Sequence, residues 1–210
     1  MPCKRAFVAV IAGLVALTGC TQTFTTEQQP FVAGALNQGH YGIGFVFEHD
    51  SYESGNSSHV EYFNWFTFDL EAACEATKVT LRLTRGEDDG GLTYHMNDVT
   101  TPADVVNNPG GTPYNNQAFL ANQPKVKDDL SGGVGYGDFS PPDGQPADVV
   151  SFTLNDAGLT AFNAARGGFF SVGGEGQGYD SENNGLTRVF RNVSAPAKLV
   201  AECKPPPSPS

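Results

Sequence analysis

Three consecutive carboxylates are the densest chemistry-bearing group in this chain of 210 residues. They lie in Gly86-Glu87-Asp88-Asp89-Gly90-Gly91, between glycines that let the backbone turn. Calcium takes roughly six to eight oxygen ligands, so Glu87, Asp88 and Asp89 are a candidate site supplying part of such a shell. Their spacing fits no EF-hand loop, and a solvated hairpin turn is the competing reading. Asp180, Glu182, Asn183 and Asn184 form a similar group between Gly176 and Gly185. His40, His49, His59 and His95 stand at no metal-ligand spacing. No Gly-x-Ser-x-Gly elbow is present for a hydrolase nucleophile, and Gly173-Gly174-Glu175-Gly176 follows a strand but opens no phosphate-binding helix. A glycosidase needs two carboxylates at a set separation, which spacing among 23 acids does not reveal. The expectation is a protein that is not an enzyme. Phe63 and Trp65 are the candidate ligand-binding residues, because exposed aromatic rings stack on sugars. A covering sheet or loop is the competing reading for them.

A second group lies at the N-terminus. Lys4 and Arg5 precede an apolar run from Ala6 to Leu17, twelve residues without a charge. A bilayer core needs about 20 residues at helical rise, so this run is too short to span one and fits a signal peptide. It ends in Leu17-Thr18-Gly19-Cys20, which resembles the lipobox of bacterial lipoproteins at all four positions. The resemblance implies cleavage before Cys20, diacylglycerol on its thiol and a further acyl chain on its amine. Two or more chains give durable anchoring where one does not. It also implies an extracytoplasmic place in the cell envelope, and Thr21 after the cysteine implies the outer membrane if the source is Gram-negative. Residues 1–19 are then the signal and 20–37, rich in Thr and Gln, a tether with a first edge strand near Phe31-Val32.

Cleavage removes two basic residues and no acid, which takes the net charge from -11 to -13. Phosphate backbones require a basic face, so nucleic acid is excluded as a partner, and adsorption to anionic lipid is disfavoured as well. Under the lipobox reading Cys3 leaves with the signal and Cys20 takes lipid. Cys74 and Cys203 remain, 129 positions apart. An oxidising compartment favours their pairing, with two free thiols as the alternative.

The remaining chain must position these groups, and its periodicity is that of short strands. In Val60–Leu70, Val60, Tyr62, Asn64, Phe66, Phe68 and Leu70 alternate onto one nearly apolar face, while Phe63, Trp65 and Thr67 take the other. Val79, Leu81 and Leu83 repeat the pattern, as do Leu92, Tyr94 and Met96. Strands are also expected at 41–47, 149–154, 169–172, 187–192 and 197–203, with loops at 49–58 and 173–185. Thr101-Pro102 starts a short helical turn, and 107–147 holds only small apolar islands. Asn155 caps a helix near 156–166 that Gly167 closes. The fold expected is all-β, an antiparallel β-sandwich of jelly-roll-like form with that one short helix. It occupies 38–204, followed by a disordered proline-rich tail at 205–210.

Asn64-Trp65-Phe66-Thr67-Phe68-Asp69-Leu70, Val79-Thr80-Leu81-Arg82-Leu83, Asp98-Val99-Thr100-Thr101-Pro102, Gly135-Tyr136-Gly137 and Gly167-Gly168-Phe169-Phe170-Ser171-Val172-Gly173-Gly174 follow one another in order. Together they resemble an uncharacterised β-sandwich module of secreted and surface-anchored bacterial proteins. The opening strands are also similar to jelly-roll modules that bind carbohydrate. The resemblance implies a fold and no catalytic residue. The expectation is a membrane-anchored lipoprotein with a non-catalytic ligand-binding sandwich, its ligand a glycan. Calcium is the one cofactor considered. A structural or adhesive role toward other envelope proteins is the alternative, and a hydrolase with an unrecognised carboxylate pair is the third.

Overall fold

A computed structural model describes residues 20–26, 33–39, 45–48, 52–57, 60–85, 93–102, 128–130, 132–140, 147–177, 187–193 and 195–205. These residues form twelve strands, one nine-residue helix and a short helical segment at 128–130. The strands are β1 Thr21–Thr25, β2 Ala33–Gly39, β3 Phe45–Glu48, β4 Tyr52–Ser57, β5 Val60–Asp69 and β6 Ala76–Thr84. After them come β7 Thr93–Asp98, β8 Gly135–Phe139, β9 Val149–Thr153, β10 Phe169–Gln177, β11 Thr187–Val193 and β12 Lys198–Cys203. Helix α1, Asp156–Ala164, lies between β9 and β10. One sheet has the order β1-β12-β6-β9. The other holds eight strands along the path β11-β4-β5-β10-β7-β8, with β2 beside β5 and β3 beside β2. The strand pairs are antiparallel, as expected for the sandwich.

The alternating strands build the core. Val79, Leu81 and Leu83 of β6 and Leu199 and Ala201 of β12 face Phe66, Phe68, Tyr94, Met96 and Val172 of the larger sheet, all of them buried. Arg82, between Leu81 and Leu83, is exposed, as a period of two requires. Asn155 accepts the Gly158 N–H at 3.1 Å and so caps α1. Gly167 (φ 84°) leaves the helix in the left-handed region. Phe162 of α1 packs on Phe24 of β1 and Phe170 of β10, with ring centroids 6.0 and 5.8 Å away. This aromatic contact joins the first strand to the core.

Several expectations are corrected. The stretch 20–37, read as a tether, contains β1 and the start of β2. Thr-Gln-Thr-Phe-Thr looks polar, yet it suits a strand that has one neighbour among the described residues, pairing Thr21 with Glu202 through to Thr25 with Lys198. The loop expected at 49–58 contains β4, whose Ser, Gly and Asn residues hide its pairing with β5 and β11. β10 continues through Gly173-Gly174-Glu175-Gly176, where a loop is expected. The glycines there serve close packing. A Cβ on Gly174 would lie 2.1 Å from the Tyr94 hydroxyl, and one on Gly173 would lie 2.7 Å from Leu130. Within 107–147 the structure contains β8 and a helical turn at 128–130. The helical turn expected beyond Pro102 and the tail beyond Pro205 lie outside the described residues.

Candidate functional site

The aromatic site does not form. Trp65 is fully buried and Phe63 is 4% exposed, so neither ring can stack on a sugar. Both faces of β5 are covered. Phe66, Phe68 and Leu70 face the other sheet, while Gly173, the cross-strand partner of Trp65, lies under Leu130 and Val99. The 128–130 turn that carries Leu130 is held in place by Asp129. Its carboxylate accepts the Thr100 and Thr101 N–H groups and the Thr100 hydroxyl, at 3.2, 2.7 and 2.7 Å. Burial pushes the Asp129 pKa up, but the hydrogen bonds from Thr101 and Thr100 outweigh it and hold the group below the usual range. Strand periodicity alone cannot show that a distant, glycine-rich segment folds over a second face.

The candidate calcium ligands Glu87, Asp88 and Asp89 lie outside the described residues, as does most of 176–185. Among the described residues no group of three His, Cys, Asp or Glu side chains could hold a metal ion.

Two arrangements remain. The first is a polar row across the outer face of the larger sheet. Glu175 of β10 pairs with His95 of β7, and His95 pairs with Asp138 of β8, which puts the three on one face of adjacent strands. His95 Nδ1 lies 2.6 Å from Asp138 Oδ1, with side chains 23% and 70% exposed. Among the described residues no nucleophile is hydrogen-bonded to the imidazole. Ser171 of β10 is four residues from Glu175, about 13 Å along a strand, and its hydroxyl is bonded to Thr67 at 2.9 Å. The row offers two carboxylates and an imidazole to a polar ligand. Sequence spacing gave no hint of it, because the three residues meet only through register.

The second is the end of the sandwich where Cys20 sits. Cys74, in the β5–β6 turn, is bonded to Cys203 at the end of β12, with Cα atoms 5.7 Å apart, as expected of these two cysteines. The Cys203 N–H donates to the Cys20 carbonyl at 2.7 Å. Two residues further on, the Gln22 side chain accepts the Cys74 N–H at 2.7 Å and donates to the Ala72 carbonyl at 3.2 Å. Asn163 of α1 grips β6 in the same two-point way, accepting the Ala76 N–H at 2.8 Å and donating to its carbonyl at 3.0 Å. Glu75 pairs with Lys204, and that hydrogen bond and charge, with Arg166 beyond them, hold its carboxyl below the usual range. Cys20 is itself disulfide-bonded in the 210-residue chain. Lipidation needs the same thiol, so disulfide and lipid are mutually exclusive states of this residue.

No protein-family model matches the chain, and comparison with the curated proteins finds no match either.

Proposed function

We propose that the chain is an extracytoplasmic lipoprotein, anchored in the cell envelope through Cys20, whose β-sandwich binds a ligand without catalysing a reaction. The observation that supports it most is the place of Cys20. It follows the signal-like run Ala6–Leu17 and leads without a gap into β1, so cleavage before it leaves the described sandwich complete. The reducing cytosol keeps thiols apart until export, which leaves Cys20 available to a lipid donor. Binding falls to the row Glu175, His95 and Asp138, since Phe63 and Trp65 are buried. Carboxylates and an imidazole suit the hydroxyls of a glycan. An adhesive role toward other envelope proteins is the second reading. It is favoured by Val149, 63% exposed on β9, which ends the four-stranded sheet opposite β1.

Fractionation of a bacterial host tests the anchoring. The natural chain is expected in the membrane fraction and Cys20→Ser in the soluble extracytoplasmic fraction; equal partitioning of the two would contradict it. Retention on polysaccharide, lost in a His95→Ala variant, distinguishes the glycan reading from the adhesive one.

A further inference from the structure

β1 starts at Thr21, and the residue before it is already held by Cys203. A lipid on Cys20 is therefore attached to the folded domain with no intervening chain. What surrounds Cys20 must then meet the bilayer surface.

Backbone bonds define this end. Leu70, where β5 gives way to the turn carrying Cys74, donates its N–H to the Gly168 carbonyl at 2.7 Å, and its own carbonyl accepts the Gly167 N–H at 3.0 Å. Phe169 follows directly and pairs with Asp69. It is 57% exposed, an aromatic ring set beside the same turn as Cys74. Exposed aromatics suit the headgroup level of a membrane, where one side is apolar and the other wet. The charge of this end is partly balanced, although the mature chain is strongly acidic. Glu75 is paired with Lys204, and Glu202 with Lys78 at 2.9 Å. Val149 makes an internal contrast. It is exposed to a similar degree but pairs with Thr84, at the other end of β6 from Ala76, whose partner is Cys203. Eight strand steps separate the two ends, about 26 Å.

We propose that the Cys20 end of the sandwich is a membrane-apposed face, with Phe169 and the Leu70–Glu75 turn lying at the headgroups of the bilayer that holds the acyl chains of Cys20. The inference rests on the lipoprotein reading and deepens it. It fixes the orientation of the domain, with β6 rising from the membrane and Val149 facing away.

Phe169→Trp and Val149→Trp, made separately in the mature protein extracted from bacterial membranes, test it in phosphatidylcholine vesicles whose acyl chains are brominated near the interface. Buried Trp65 supplies the same background to both. The emission added at position 169 is expected to fall by at least half, and that added at 149 by less than a tenth. Intact mass taken on the same samples separates the two ways to fail. Acyl chains present with position 169 unquenched, or with both positions quenched equally, overturn the apposition and leave the anchor standing. No acyl chain on Cys20 overturns both.

Discussion

At the scale of single residues, Gly174 shows how tightly this fold is set. The Tyr94 hydroxyl passes over it to donate to Asn64 Oδ1 at 2.6 Å, and all three residues are buried. Gly174→Ala puts a methyl into that path, and a buried tyrosine has no room to swing aside. A loss of about 1–3 kcal/mol is expected, as for other overpacked sites, read as a lower urea midpoint at unchanged slope. Asp129 contributes a pH dependence. Its folded pKa lies below the ordinary value of 3.8, so its stabilisation is present above that value and is lost as pH falls through the folded one. Acid titration of stability should show this loss, and Asp129→Asn should flatten it. Tyr136 acts at the other extreme. Burial first, and then the charge of Asp98, push its hydroxyl up to about 12, so stability declines as pH rises through and above 10. None of these roles is legible in sequence, because each depends on a neighbour from a distant part of the chain.

At the scale of elements, legibility follows the strength of the pattern. β6 and β12 alternate apolar and polar residues over their length, β5 sets Phe66 and Phe68 on one face, and the structure places these apolar faces in the core. α1 is legible from its two ends, Asn155 and Gly167. β1, β4 and the second half of β10 are not, since threonine, serine, asparagine and glycine carry no hydrophobic period and these strands are defined by their partners. The cap of α1 also has a second task, because Asn155 Nδ2 donates to the Gly135 carbonyl at 2.9 Å and so ties the helix to β8. Asn155→Ala should cost about 1–2 kcal/mol. Asn155→Asp, which keeps the cap and loses that donor, should fall between it and the natural protein in thermal unfolding.

At the scale of the whole molecule, the crossover from β5 to β6 is fastened to the end of β12 by the Cys74–Cys203 bond, and Cys20 is fastened to that same end. The candidate sites were only half legible. The cysteine pair could be read from compartment and count, whereas the covering of Trp65 and the row of Glu175, His95 and Asp138 arise from topology. The proposed anchoring and the architecture meet at one atom, the Cys20 sulfur, which cannot both carry lipid and remain in a disulfide. Intact-mass spectrometry of the protein extracted from the membranes of a bacterial host reads this directly. The expected result is a chain that begins at Cys20, is heavier by diacylglycerol and a further acyl group, and keeps Cys74 bonded to Cys203. A chain that retains the residues before Cys20, with the Cys20 thiol in a disulfide and no lipid mass, would contradict it.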